Sequence, residues 1–109
     1  MDTPKVGRIV HYTLTEQDAA EINRRRTSGP RIAERLTSGH WPEGAQAHIG
    51  NPVSVGQVVP AMIVAVWHLP SGRCNLKCFL DGTDEFWATS REVSSEPETA
   101  GYWNWPPRD

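Results

Sequence analysis

The chain has 109 residues, which is room for one domain with one modest core, so a second independent domain is not expected. Hydrophobic residues make up 38% of it, and its nine glycines and nine prolines favour a turn-rich β protein over a helical bundle. The net charge is −2: residues 1–80 carry nine Lys or Arg against six Asp or Glu, and residues 81–109 carry two against seven. Proteins that bind duplex nucleic acid are usually basic overall, so that class is not expected.

Cysteine usage and hydropathy predict a cytoplasmic protein. No apolar run approaches the ~20 residues of a membrane span, and no basic-then-apolar signal opens the chain. Cys74 and Cys78 would lie on the order of 13 Å apart on one extended strand, which is too far for a disulfide. We therefore expect reduced thiols and no membrane contact.

The first predicted elements are a strand and a helix. Residues 6–12 are rich in β-formers and predict the first strand. Thr15, followed by acidic residues, is typical of an N-cap, so a helix should run from there to about Arg26. Its apolar stripe is limited to Ala19 and Ile22, so the helix should dock weakly or need a partner.

A second helix and a long loop are predicted next. Pro30 suits the first position of a short helix over residues 30–38, and Gly39 is a natural stop. Residues 40–59 contain too many glycines and prolines for regular structure. Loops of this length in a small domain are usually functional or disordered, and the composition favours a functional one.

Three consecutive strands are predicted over residues 61–68, 75–80 and 86–93, joined by two tight turns. The first of the three is apolar on both alternating faces, which predicts a strand covered on both sides, with Trp67 in the core.

A last short strand is predicted over residues 102–105, where Trp103 and Trp105 should point to one face, fill the core and close the sheet. Together the elements predict a mainly β (α+β) fold. The expected architecture is a small SH3-like antiparallel barrel of about five strands, in one domain over residues 1–109. A two-helix insertion, within residues 15–59, separates strands 1 and 2.

The arginine run Arg24, Arg25 and Arg26 is the strongest candidate for binding chemistry. Guanidinium groups match phosphate oxygens in a bidentate geometry, which suits a phosphodiester or pyrophosphate ligand. Arginines in a last helical turn also offset the helix dipole, so a structural role is an open alternative.

The long loop and the tryptophans supply the other candidate ligand residues. His48 and Asn51 flank Gly50 and offer a titratable ring and an amide, although Asn51 followed by proline is also a common turn. Trp41 and Trp87 are candidates for an aromatic pocket wall, since bases stack on such rings.

Motifs for other chemistry are weak. The four histidines are scattered, and the acidic residues at Asp81, Asp84 and Glu85 suit a hairpin turn first, so no metal or cofactor is expected. No serine lies in a nucleophile elbow and no cysteine has a convincing base, so an enzyme is not expected.

Five stretches together span nearly the whole chain: GRIVHYTL, INRRRTSG, GAQAHIGNP, FLDGTDEFWATS and WNWPP. They resemble a family of small, mostly uncharacterised proteins of bacteriophages and prophages. The resemblance implies a phage origin and action in the bacterial cytoplasm, and it implies no reaction.

The leading hypothesis is a non-enzymatic homo-oligomer that sequesters a small anionic nucleotide, such as a cyclic dinucleotide or a cyclic ADP-ribose derivative used as an immune signal. Its ligand residues would be Arg24, Arg25, Arg26, Trp41, His48, Asn51 and Trp87. Two alternatives stay open: a protein–protein module or virion accessory that docks through the helical insertion, and an enzyme that cleaves such nucleotides.

Overall fold

A computed structural model describes residues 3–25 and 49–107 of the chain. The described elements, in chain order, are β1 (Ile9–Thr13), α1 (Glu16–Arg25), β2 (Val58–His68), β3 (Arg73–Phe79), β4 (Glu85–Arg91) and β5 (Trp103–Asn104). The strands form one antiparallel sheet in the order β4-β3-β2-β1-β5. The predicted mainly β fold with five strands is confirmed.

The predicted closed barrel is not confirmed, because β4 and β5 stand at the two ends of the described sheet. β5 has only two residues, and both pair with β1, so it is too short to form a ladder with β4. A single parallel bridge, between Val93 and Trp103, joins the chain just after β4 to β5. One helix is described; the second predicted helix lies outside the described residues.

Two β-bulges in β2 decide which of its side chains face the core. The pairing with β3 shifts between Ile63 and Ala65 and again between Val66 and His68. Each extra residue interrupts the strict alternation of side chains between the two faces of a strand. Val66 therefore packs on the core, and Trp67 is 62% exposed. The prediction that Trp67 lies in the core, on a strand covered on both sides, was wrong.

The core lies on the inner face of the sheet, between the strands and α1. Its largest fully buried side chains are Trp103, Tyr12, Leu14, Ile22, Ile63 and Leu76. Burial of such side chains stabilises the fold by about 1.5–3 kcal/mol each. The prediction that Trp103 fills the core is confirmed.

Asp18 anchors α1 to the sheet. Its backbone N–H donates to the Thr15 hydroxyl at 3.0 Å, and its carboxylate accepts from the Thr15 N–H at 3.1 Å, which is a reciprocal cap. The same carboxylate accepts a 2.5 Å hydrogen bond from the Tyr12 hydroxyl and pairs with Arg91 at 3.3 Å. The predicted N-cap is confirmed, and polar contacts supplement the thin apolar stripe of the helix.

Both cysteines are buried free thiols, as expected. Burial, together with the nearby Asp18 carboxylate, raises the pKa of Cys78 from its ordinary value of 9.0 to about 12. Burial also raises the pKa of Cys74.

We predict that Gly72→Ala destabilises the fold more than Gly56→Ala. Both glycines have positive φ, of 68° and 85°, so both substitutions carry a backbone penalty of about 1 kcal/mol. At Gly72 the added Cβ would also lie 2.7 Å from Cγ1 of Val93, whereas at Gly56 it meets nothing within 4 Å. Urea unfolding should show an additional loss of about 1–3 kcal/mol at position 72. Equal losses would contradict this packing.

We also predict that stability falls as pH rises from about 9 towards 12. The unfolded chain releases the Cys78 proton near pH 9, whereas the folded chain retains it to about pH 12, so alkaline solution favours the unfolded state. Cys78 alone should lower the free energy of unfolding by up to about 1.4 kcal/mol per pH unit in this window, and the buried Cys74 and Tyr12, whose pKa values are also raised, add slope of the same sign. Cys78→Ala should reduce that slope, whatever its effect at pH 7; an unchanged slope would exclude Cys78 as its source.

Candidate functional site

β5 and the residue that follows it carry two tryptophans at one edge of the sheet. Trp103 pairs with Tyr12 of β1, and its indole N–H donates to the carbonyl of Gly72 at 2.8 Å. Trp105, two residues further on, packs edge-on against Trp103 with ring centroids 5.2 Å apart, and it stays half-buried. The position of the Trp105 ring is therefore fixed by a fully buried neighbour.

Trp105 borders a concave surface that we term the Trp105 cleft. It consists of two cavities, of about 270 and 540 Å³, that share Pro97, Asn104 and Trp105. The first is also lined by His11, Thr13, Val58, Glu98 and Pro107, and the second by Val93, Ser94 and Ser95. Cavities in this size range accommodate small organic ligands.

Strand register brings the polar lining of the cleft together. His11 of β1 pairs with Asn104 of β5, so their side chains lie side by side on one face. The Asn104 amide nitrogen donates to the carbonyls of Ser94 at 2.6 Å and Glu96 at 3.1 Å, which holds the loop between β4 and β5 against the strand. With both N–H groups committed, the amide offers a ligand its acceptor, Oδ1.

Charge in the cleft is unevenly placed. The guanidinium carbon of Arg8 lies 4.9 Å from the Trp105 ring centroid, which is a favourable cation–π geometry. Glu98 contributes a carboxylate to the lining of the smaller cavity. The cleft can therefore stack a planar ring and hydrogen-bond its edge. Arg8 adds positive charge beside the cleft, where its guanidinium lies against the Trp105 ring, and we term this the Arg8 end.

Two of the residues predicted to bind a ligand meet at a different place, the turn between β3 and β4. Arg25 forms an ion pair with Asp84 at 3.2 Å, and the Asn51 amide donates to the Asp81 carboxylate at 2.7 Å. We term residues 81–85, with these two partners, the β3–β4 corner. The structure thus brings the end of α1 and the described end of the long loop to one turn.

Asn23 holds that arrangement in place. Its amide donates to the carbonyl of Val53 and accepts from the N–H of Val53, both at 2.8 Å, as a neighbouring strand would. Ile49 and Thr83 are joined by a backbone hydrogen bond of 2.8 Å, and Ile49 also donates to the Thr83 hydroxyl. Backbone contacts therefore tie the loop to the corner.

The described residues of the corner carry more acidic than basic groups. Arg25 faces Asp84, whose side chain is only 2% exposed, and Arg24 pairs with Glu21 on the exposed side of α1. Asp81 and Glu85 add two further carboxylates to the turn. This arrangement favours the structural interpretation of Arg24 and Arg25 over phosphate binding.

Trp87, another of the predicted ligand residues, is not brought to the corner. Arg25 lies 5.8 Å from the ring of Phe86, which packs on the core. Trp87 follows Phe86 in β4, so it points to the opposite face of the sheet, where it is 62% exposed. Arg26, Trp41 and His48 lie outside the described residues.

The Trp105 cleft was missed from sequence. The spacing of Trp103 and Trp105 gave the signal, but both rings were assigned to the core, and only Trp103 is fully buried. The alternation of side chains along a strand predicts that Asn104 points to the face opposite Trp103 and Trp105. No local pattern could have indicated Arg8, because it meets Trp105 from the other end of the chain.

Comparisons of the chain with protein family models, with curated proteins and with solved structures find no match in any of the three. In residues 3–25 and 49–107, no helix has the length and apolarity needed to cross a membrane. Within the same ranges, no three His, Cys, Asp or Glu side chains are grouped so that they could hold a metal ion. The chemistry of the cleft is therefore the basis for a functional proposal.

We predict that Arg25→Ala destabilises the protein and that Arg24→Ala does not. Removing Arg25 leaves the nearly buried Asp84 carboxylate without its guanidinium partner, which should cost about 2–3 kcal/mol because Arg25 is itself partly exposed. The Arg24 pair is exposed, so its loss should cost less than ~0.5 kcal/mol. Urea unfolding of both variants checks this. Two small, equal losses would assign Arg25 no structural role and return it to the ligand hypothesis.

Proposed function

We propose that the protein is a non-enzymatic binding protein for a small nucleotide, and that the ligand is held in the Trp105 cleft. The observation that carries the proposal is a half-buried tryptophan ring that borders a cavity and has a guanidinium group 4.9 Å from its centroid. A nucleotide combines the two features that this pair recognises, an aromatic base and an anionic phosphate.

The base would stack on Trp105 and form a hydrogen bond with Asn104. Stacking on an aromatic side chain contributes about 1–3 kcal/mol per base and tolerates different bases. The Oδ1 of Asn104 accepts hydrogen bonds, so it would select a base edge that carries an N–H donor. His11, next to Asn104 in the strand register, would supply a second polar contact.

The phosphate would lie at the Arg8 end of the cleft and the ribose near Glu98. A guanidinium–phosphate contact is charge-assisted and about twice as strong as a neutral hydrogen bond. The Glu98 carboxylate repels phosphate but accepts from ribose hydroxyls, so it would orient the ligand.

Sequestration is the proposed mode of action. Tight binding removes a nucleotide signal from solution without turnover, so no catalytic group is needed. In the bacterial cytoplasm, a phage-encoded protein of this kind would counter a defence that signals through cyclic dinucleotides or cyclic ADP-ribose derivatives.

We further propose that the fold is of the SH3-like barrel class. The support is that β1 pairs with both β2 and β5, and that the chain after β4 contacts Trp103 through one bridge. In this arrangement the cleft lies beside the seam of the barrel.

We predict that calorimetric titration detects binding of AMP, ADP-ribose or a cyclic dinucleotide, and that Arg8→Gln weakens it about tenfold. One charge-assisted hydrogen bond is worth about 1.5–3 kcal/mol, and 1.4 kcal/mol corresponds to a factor of ten. Binding of adenosine, which has no phosphate, should not change in Arg8→Gln. Trp105→Ala should abolish binding of all four compounds.

Arg24→Gln is the matched control, since Arg24 is exposed and distant in sequence from the cleft, and it should bind as the native protein does. No binding of any compound at millimolar concentration would overturn the proposal. Loss of binding in Arg24→Gln, with Arg8→Gln unaffected, would move the site to the β3–β4 corner. Nucleotide recovered chemically altered after denaturation would show an enzyme instead.

A further inference from the structure

A set of apolar side chains lies on the outer face of the sheet, away from the core. Register places Ile9, Met62, Lys77 and Trp87 in one row across four strands. Phe79 lies in the adjacent row, next to Glu85. We term these residues, with Trp67 and Val64 of β2, the outer apolar face.

The bulges of β2 add to this face. Ala65 pairs with Asn75, and His68 pairs with Arg73, so the extra residues Val64 and Trp67 share the outward direction of their neighbours. A regular strand would have sent Trp67 inward. The bulges of β2 therefore expose Trp67, a large apolar side chain that a regular strand would have buried.

The outer apolar face is as large as the largest apolar patch on a typical single chain. Trp67 and Trp87 are each 62% exposed, which leaves on the order of 150 Å² accessible on each ring. With Ile9, Val64 and Phe79 the exposed apolar area reaches on the order of 500 Å². The largest patch on a typical monomer is about 300–600 Å², and each partner in a standard interface buries about 800 Å². The face thus supplies the apolar centre of an interface, and surrounding polar residues would complete its rim.

The charges within the face fit a second copy of the same chain. Lys77 and Glu85 lie 3.7 Å apart, and both are about half exposed, so the face carries one cation and one anion and is neutral. A two-fold axis beside them would place Lys77 of one chain opposite Glu85 of its partner, twice. Tryptophan-rich, neutral and predominantly apolar surfaces are also typical of homodimer interfaces.

We infer that two copies of this chain associate through the outer apolar face, with Trp67 and Trp87 as its two largest apolar contacts. This inference does not depend on the proposed function, because no residue of the outer apolar face lines the Trp105 cleft. The occupant is a second copy, and a different protein on this face is an alternative that the experiment below distinguishes.

We predict that light scattering coupled to size exclusion gives twice the mass of one chain for the native protein. The variant Trp67→Ser with Trp87→Ser should give the mass of one chain, since it removes the two main apolar contacts without touching the core. Val55→Ser is the matched control: Val55 is 60% exposed in the turn before β2, outside this face, and its variant should remain dimeric. Circular dichroism of each variant establishes that it is folded.

A charge exchange tests the two-fold geometry. Lys77→Glu alone places two carboxylates opposite each other, and Glu85→Lys alone places two ammonium groups opposite each other, so each should be monomeric. An equimolar mixture of the two variants should form a heterodimer, because every facing pair is then of opposite sign.

A native protein that remains at the mass of one chain up to ~100 µM would overturn the inference, since a dimer that is stable in solution has a dissociation constant below that concentration. It would leave the face to another protein. A dimer that persists in the double serine variant, or single charge variants that dimerise unmixed, would also overturn it.

Discussion

Burial of Trp103 is the interaction on which the rest of the structure depends. This ring is fully enclosed, its N–H is bonded to the carbonyl of Gly72, and its strand pairs with β1 through Tyr12. An indole N–H buried without a partner would cost about 1–3 kcal/mol, so the hydrogen bond fixes the ring in one orientation. The two-residue strand β5 has few backbone contacts of its own, so this side chain holds the C-terminal segment on the sheet. Trp105 packs against the Trp103 ring, so the positions of Trp105 and of the cleft depend on Trp103.

Two surfaces then follow from two kinds of irregularity. Trp105 follows β5 and packs against Trp103 without being enclosed, and the Trp105 cleft forms beside it. The bulges in β2 turn Trp67 outward, and the outer apolar face forms there. Each surface exposes aromatic area that a regular sheet would have buried. A nucleotide would cover the exposed aromatic area in the Trp105 cleft, and a second chain would cover that of the outer apolar face.

Much of the fold was predictable from sequence because its signals are local. The Thr15 cap, the tight turns and the β-rich runs each depend on a few neighbouring residues. All five strands and α1 overlap their predicted ranges, although β1 begins three residues later than predicted and β2 three residues earlier, inside the predicted loop. The bulges were not predictable, because a shift in register depends on the partner strand, and so Trp67 was assigned to the wrong face. At the corner, composition identified Arg25 as a cation but could not reveal that Asp84 neutralises it. The cleft, likewise, joins side chains from opposite ends of the chain.

Hydrogen exchange of the Trp103 indole N–H tests the central claim most directly. If this ring anchors the C-terminal segment to the sheet, its N–H exchanges only when the whole domain unfolds, and its exchange free energy equals the free energy of global unfolding measured with urea. An indole N–H of Trp103 that exchanges with a much smaller free energy, while the amides of β2 and β3 stay protected, would show that β5 opens by itself. That result would contradict the account, since neither the Trp105 ring nor the cleft beside it would then have a fixed position.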